Sequence, residues 1–211
     1  MLGRARRIQA DVSASYAVVW ANLRKRYHNL RTVVITASSS GDDASVAAVG
    51  LAEAAARLDN GSGLVLVLDA AMRDRRVPDS AAPSVRIIVA LSPDQVRTIL
   101  DEAREEFAFV IVVAPSPQQD PEFIAIASAA DAVILVARAG RTRFEVARLA
   151  AELLQQAGVA MAASLLLTPR AFRRGRAPAR VAASPGQIAE LRPRVQLKER
   201  REAAAGVDGL T

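Results

Sequence analysis

Short apolar runs and helical apolar stripes alternate along most of this chain. The runs 33–35 and 64–68 are continuous and apolar, which is typical of strands buried on both faces. Between them, from Ser45 onward, apolar residues recur at helical spacing among many alanines, which predicts a helix. The same criteria predict strands at 86–91, 109–113, 132–136 and 165–167, and helices from Pro93, over 121–130 and over 144–157. This alternation predicts an α/β domain with a parallel β-sheet and helices on both faces.

A separate amphipathic helix is predicted over residues 11–30. Tyr16, Val19 and Leu23 lie on its apolar stripe, and Trp20 and Tyr27 flank them. Two interpretations stay open: the stripe packs on the domain as an ordinary helix, or part of it is an interaction helix that meets another protein. We therefore divide the chain into an N-terminal helix (1–30), an α/β domain (31–169) and a basic, weakly ordered tail (170–211).

Composition excludes several kinds of chemistry. The 211 residues contain no cysteine and a single histidine, so disulfides, thiol catalysis and cysteine-ligated metals are excluded, and no metal site is expected. No apolar run approaches the roughly 18 residues of a membrane-spanning helix, and the basic N-terminus lacks an apolar signal core. These features predict a cytoplasmic protein.

The formal charge of +6 is concentrated towards the end of the chain. Ten arginines and lysines lie between residues 170 and 201. A basic tail can contact nucleic acid or an anionic membrane surface. The commoner interpretation is a solvated end of the chain, and we do not expect nucleic acid as a partner.

The segment between the first predicted strand and the helix from Ser45 is rich in serine and glycine. A strand, a Gly/Ser turn and a helix N-terminus together form the geometry that holds phosphate groups. A phosphate-binding lysine is missing, since Ala44 precedes Ser45. Asp42 and Asp43 lie there instead, and carboxylates at a helix N-terminus stabilise the helix by roughly 0.3–1 kcal/mol each. Because they also repel a triphosphate, we predict a loop that is stable without a ligand.

Three motifs resemble those of the cytoplasmic bacterial tyrosine kinases of capsule and exopolysaccharide synthesis, which are relatives of the MinD/ParA ATPases. The resemblance covers residues 13–168, and its fold is that of the P-loop NTPases. The family's phosphate loop, Gly-acid-Gly-Lys-Ser, is matched by Gly41-Asp42-Asp43-Ala44-Ser45. Its Asp-x-Asp-x-Arg motif is matched by Asp69-Ala70-Ala71-Met72-Arg73. Its third motif is a strand ending in aspartate, and here the strand ends in Val113.

Two further stretches carry the resemblance. Residues 131–158 match the family most closely in amino-acid sequence. Residues 14–24 resemble the helix that precedes the kinase core and mediates subunit contact. The family's C-terminal tyrosine cluster has no counterpart, because the only two tyrosines lie in the first helix.

The departures from the family pattern fall on the groups that handle charge. The loop lysine is replaced by Ala44, the second loop glycine by Asp43, and the two motif carboxylates by Ala71 and Val113. Since a hydrogen bond to a charged group is worth about 1.5–3 kcal/mol, loss of the lysine alone should weaken nucleotide binding tenfold or more.

The resemblance therefore implies a degenerate nucleotide site with a reduced set of residues. Asp69 is its one vestigial catalytic candidate, or a strand-end carboxylate that caps a turn or pairs with Arg73. The full set is Gly41, Asp42, Asp43, Ala44, Ser45, Asp69 and Arg73.

The functional expectation is a non-catalytic tyrosine-kinase-like protein. Its expected partner is an inner-membrane chain-length or export protein, with a role in exopolysaccharide, capsule or adhesin biosynthesis and a location at the inner membrane through that partner. A homo-oligomer or a hetero-oligomer with a related kinase stays open. Two alternatives remain: an active divergent kinase or ATPase, the only case in which ATP and magnesium would be cofactors, and a ParA-like positioning factor that binds DNA or membrane.

Overall fold

The computed structural model describes residues 2–40, 42–59, 63–71, 78–90, 93–159 and 161–168, with the backbone alone at 2–13, 93 and 94. Gly41, Arg73 and the predicted tail over 170–211 lie outside these residues. The helices are α1 (Leu2–Arg26), α2 (Ala44–Leu58), α3 (Pro93–Glu106), α4 (Glu122–Ser128) and α5 (Phe144–Gln156). The strands are β1 (Thr32–Ala37), β2 (Val65–Asp69), β3 (Val85–Val89), β4 (Phe109–Ala114), β5 (Ala132–Arg138) and β6 (Met161–Leu167).

The six strands form one sheet in the order β3-β2-β4-β1-β5-β6, and every pair of neighbours is parallel. Helices α1 and α2 pack on one face, and α3, α4 and α5 pack on the other. The predicted α/β class, with a parallel sheet between two helical layers, is confirmed.

Side chains of the central strands alternate between two faces of the sheet that are both covered by helices. This explains why the sequences of these strands are continuously apolar. In β1, Val33 and Ile35 face the α1/α2 layer, whereas Val34 faces the opposite layer. All residues of β1, β2 and β4 are buried. A strand covered on both faces has no solvent side, so no polar alternation develops in its sequence.

The aromatic stripe of α1 packs inside the domain. Tyr16, Trp20 and Leu23 are buried in the cluster between α1, α2 and the sheet, and Val19 and Tyr27 lie half-buried at its margin. The Trp20 ring meets Phe109 of β4 edge-on at 4.4 Å between centroids. The structure therefore places these side chains against the domain core, which is the ordinary-helix interpretation, and buries three of the five residues of the predicted interaction surface.

Several predicted boundaries differ from the structure. The first helix runs from Leu2 to Arg26 rather than over 11–30, and a turn carries the chain so that Leu30 enters the core. Strand β6 begins at Met161, four residues before the predicted start, because small side chains at Ala162 and Ala163 conceal the strand pattern. Helix α5, predicted over 144–157, ends at Gln156, and Gly158 just beyond it has a φ of +70°, a conformation that favours glycine.

Among the described residues, every helix is too short or too polar to cross a lipid bilayer.

The contact between α1 and α2 depends on the missing side chain of Gly50. A Cβ atom at Gly50 would lie 2.6 Å from Cδ2 and 2.7 Å from Cζ of the buried Tyr16 ring. We expect Gly50→Ala to lower the free energy of unfolding by about 1–3 kcal/mol through overpacking, although alanine favours the helix by about 1 kcal/mol. Urea unfolding measures the change.

The matched control is Gly50→Ala combined with Tyr16→Leu, which removes the ring from the clash. The double variant should lose less stability than the sum of the two single variants. If the two changes add independently, the contact does not limit the approach of the helices.

Candidate functional site

The candidate site lies at the edge of the sheet where the parallel strands end. Ligands of open α/β sheets bind beyond the carboxyl ends of the strands. Here the loop after β1, the end of β4 and the segment after it, and Ala71 after β2 surround a cavity of about 80 Å³. Of the predicted nucleotide-site residues, Asp42, Asp43, Ala44 and Ser45 line it. Ala71 and Val113, which stand in place of the two motif carboxylates, line it as well.

The loop after β1 is closed by hydrogen bonds to itself. The backbone N–H of Ser39 donates to Oδ2 of Asp42 at 3.2 Å, and the N–H of Asp42 donates to the carbonyl of Ser39 at 3.0 Å. The N–H of Ala44 donates to the carbonyl of Asp42 at 2.9 Å. A phosphate loop needs its N–H groups to point at the ligand. These three are already bonded within the loop.

The carboxylate of Asp42 also ties the loop to the turn between β5 and α5. Its Oδ1 accepts a 2.6 Å hydrogen bond from the Thr142 hydroxyl, across 100 residues of sequence. The same hydroxyl oxygen accepts the backbone N–H of Arg138 at 2.8 Å. Asp42 is only 5% exposed, so solvation of its carboxylate depends on the Thr142 hydroxyl at Oδ1 and the Ser39 N–H at Oδ2.

Asp43 makes a second link to the same turn. Its Oδ2 lies 3.6 Å from a guanidinium nitrogen of Arg138, with both side chains about one-fifth exposed. The Arg138 guanidinium is thus held by a carboxylate of the loop.

Apolar side chains stand where the related kinases carry a lysine and an aspartate. Ala44 begins α2 and is buried. Val113, paired with Ile35 on one side and Asp69 on the other, is part of the core beneath α1 and α2. Neither position offers a charge for a phosphate group or a metal ion.

Asp69 ends β2 and is 3% exposed. Burial raises the pKa of its carboxyl, and the backbone N–H of Ala71, which donates to Oδ1 at 3.0 Å, lowers it. The carboxylate therefore closes a turn at the strand end and does not line the cavity. This is the turn-capping alternative; a pairing with Arg73 falls outside the described residues.

The sequence gives little indication of the residues that brace this edge. Nε2 of Gln118 donates to the carbonyls of Ser38 at 3.1 Å and Val146 at 2.8 Å, which joins the loop to α5. Thr142 and Gln118 belong to no motif in the sequence. Their only signal is their position just after β5 and β4, respectively.

A nucleoside triphosphate does not fit the site formed by the described residues. Small-molecule sites typically enclose roughly 300–1,000 Å³, whereas this cavity holds about 80 Å³. The N–H groups of Ser39, Asp42 and Ala44 are used within the loop, and Asp42 and Asp43 bring negative charge to the cavity. The geometry suits a loop that is complete without a ligand.

Comparison with known structures places the fold among tyrosine kinase domains. The chain is similar to the kinase domain of the Escherichia coli tyrosine kinase ETK, with 19% identity, TM-score 0.55, and coverage of 74% of this chain and 72% of that one. For the VpsO kinase domain the values are 16% identity, TM-score 0.60, and coverage of 80% and 98%. For a ParA family ATPase of Chlorobium tepidum the identity is 13%, the TM-score is 0.52, and the match covers 65% of this chain and 73% of that one.

The resemblance predicted from the sequence is confirmed at the level of the fold, which is that of bacterial tyrosine kinase domains and ParA-type ATPases. No protein-family model and no curated protein matches the sequence.

The hydroxyl of Thr142 is expected to stabilise the whole edge. Thr142→Val keeps the shape of the side chain but removes the hydroxyl that bonds Oδ1 of Asp42 and the N–H of Arg138. Because hydrogen bonds to charged groups contribute about 1.5–3 kcal/mol, we expect a loss of that size in the free energy of unfolding. Thr142→Ser retains the hydroxyl and should lose much less, as measured by urea unfolding. Equal losses in both variants would mean that packing of the methyl group dominates.

The pH dependence of stability should carry the signature of Asp69. Burial raises its native pKa above the unfolded value of about 3.9. Its contribution to stability is therefore complete below the unfolded pKa and is lost as pH rises through the native pKa. Asp69→Asn cannot ionise and keeps an oxygen for the Ala71 N–H. In urea unfolding over a pH series, its stability relative to wild type should increase as pH rises, and a constant difference would contradict the assignment.

Proposed function

We propose that this chain is a non-catalytic, tyrosine-kinase-like module. It acts with an inner-membrane chain-length or export protein in the synthesis of an exopolysaccharide, a capsule or an adhesin. In this role the α/β domain is kept as a docking unit, and nucleotide turnover is lost.

The closed loop after β1 is the observation that carries this proposal. In a nucleotide-binding loop, backbone N–H groups and a lysine neutralise the phosphates. Here Ser39, Asp42 and Ala44 donate their N–H groups within the loop, and Asp42 supplies an anion in place of the phosphate. Restoring an open loop would break the bond between Asp42 and Thr142, which opposes ligand entry.

Support for the partner comes from the resemblance in sequence. Residues 131–158 are the closest match to the capsule and exopolysaccharide kinases, and they form β5, the turn that holds Asp42, and α5. The likeness of the fold to kinase domains is consistent with this origin. We assign the architecture to partner binding, because the architecture is what this chain and those kinase domains have in common.

The alternative is an active, divergent ATPase or kinase of the same fold. The buried carboxyl of Asp69 favours it, because a strand-end acid with a raised pKa is a frequent feature of catalytic sites. In that case Ser45 and Asp69 would hold magnesium and phosphate, with a cation from another subunit.

Calorimetry with Mg-ATP and Mg-ADP separates the two functions. We expect no saturable heat from the full chain at micromolar to millimolar nucleotide, because the N–H groups of Ser39, Asp42 and Ala44 are bonded within the loop and two carboxylates bring negative charge to it. Asp69→Ala is the paired variant. Micromolar binding or measurable turnover that disappears in Asp69→Ala would establish the enzyme and overturn the proposal.

The partner is tested separately by affinity capture from detergent-solubilised inner membranes. We expect a polysaccharide chain-length or export protein to be retained by the full chain. A two-hybrid screen and a capture experiment that both fail to recover such a protein would contradict the docking role, whatever the calorimetry shows.

A further inference from the structure

The turn between β5 and α5 ends in an exposed aromatic residue between cationic side chains. We call residues 140–144 the β5–α5 tip. Arg141 and Arg143 are exposed, and Phe144, the first residue of α5, is 76% exposed, the highest value of any large apolar side chain among the described residues. Glu145 is the neighbouring acidic residue and is also exposed. Exposure of an aromatic ring at the end of a turn costs stability and contributes nothing to the core.

A second exposed apolar residue lies beside the tip. Leu166 of β6 is 67% exposed and pairs with Ala137 of β5. The carbonyl of Leu167 accepts the N–H of Ala139 at 2.8 Å, so the end of β6 is bonded directly to the start of the turn. Leu165 packs on the α1/α2 layer, so alternation directs Leu166 to the face that carries α5. Phe144 and Leu166 thus share one end of one face.

The tip is held in place rather than being a loose loop. The Thr142 hydroxyl at its centre donates to Asp42 and accepts the N–H of Arg138, and Gly140 takes a left-handed turn with φ of +75°. The side chain of Arg138 is engaged by Asp43. Arg141, Arg143 and Phe144 are exposed around Thr142. Two guanidinium groups and one aromatic ring therefore project from a braced turn.

This combination fits the surface of an anionic lipid bilayer. Apolar side chains that enter the boundary between headgroups and acyl chains, next to arginines that meet the headgroup phosphates, are the recognition elements of peripheral membrane proteins. A single-stranded nucleic acid would use the arginines and the ring, but it offers no apolar region for an exposed leucine. An aliphatic and an aromatic residue at the same end therefore favour lipid.

The sequence that follows increases the attraction. The described chain ends at Thr168, one residue beyond β6 and at the same edge of the sheet as the tip. The next residues in sequence carry ten arginines and lysines between 170 and 201. Clusters of basic residues add to binding at an anionic leaflet.

We propose that the β5–α5 tip, with Leu166, docks this protein directly on an anionic membrane surface. Phe144 and Leu166 enter the headgroup boundary, and Arg141 and Arg143 pair with lipid phosphates. This contact requires neither a nucleotide nor a protein partner, so it stands apart from the proposed function. It would orient the carboxyl edge of the sheet, including the closed loop after β1, towards the bilayer.

The test is sedimentation of the full chain with phosphatidylglycerol/phosphatidylcholine vesicles, compared with pure phosphatidylcholine vesicles. We expect binding to the anionic vesicles alone, weakened by salt. Phe144→Ala should lower the partition coefficient about fivefold to tenfold, and Arg141→Gln with Arg143→Gln by about fivefold for each arginine. Both changes are at exposed positions, and their folding is checked by circular dichroism.

The matched control is Arg57→Gln with Leu58→Ala. These residues form a similar exposed pair, with Leu58 48% exposed, at the end of α2 and the opposite edge of the sheet. The control should bind vesicles like wild type. As a local readout, Phe144→Trp should give a blue shift of tryptophan emission on anionic vesicles, against the constant signal of the buried Trp20.

Three results would overturn the proposal. These are absence of binding to anionic vesicles, wild-type binding by both tip variants with no shift in Phe144→Trp, and an effect equal to that of the control pair. If Phe144→Ala weakens binding to a short single-stranded DNA and leaves vesicle binding intact, the surface is a nucleic-acid site and the lipid assignment is wrong.

Discussion

One hydrogen bond, between the Asp42 carboxylate and the Thr142 hydroxyl, organises the functional edge of this protein. It joins the loop after β1 to the turn after β5 at 2.6 Å. Because Asp42 is buried, the bond cannot be exchanged for water without a conformational change, and a charged acceptor makes it one of the stronger bonds at this edge. The loop, the turn and the N-terminus of α5 therefore hold one another in place.

That arrangement gives the loop a different physical role from a nucleotide cradle. A cradle keeps its donors unpaired and waits for an anion, which is costly in the absence of the ligand. Here the anion is covalently part of the chain, and the donors of Ser39, Asp42 and Ala44 are bonded within the loop. The cost of an open site is therefore removed.

The helical layers keep the domain stable without a ligand in this loop. Helix α1 covers its side of the sheet with Tyr16, Trp20 and Leu23, and the close approach of Tyr16 to Gly50 joins α1 to α2. The core is therefore complete at the centre of the sheet without a bound ligand. Stability comes from apolar burial on both faces, and the edge where the strands end is left to differ from related proteins without loss of the fold.

The fold could be predicted from the sequence because its signals are local. Apolar runs such as 64–68, separated by helical stripes, determine a parallel sheet between two layers, since a strand buried on both faces cannot alternate. The loss of charge at Ala44 and Val113 is equally visible in sequence. Strand β6 was recognised only in its last part, because alanines do not distinguish strand from helix.

The tertiary structure alone decided how the edge is put together. Thr142 meets Asp42 across 100 residues, and no spacing or pattern in the sequence indicates that contact. The burial of Trp20, for which the sequence leaves two interpretations open, and the exposure of Phe144 are likewise decided by the tertiary structure. Local periodicity determines which elements form. The side-chain partners at the ends of the strands depend instead on which strands lie next to each other in the sheet.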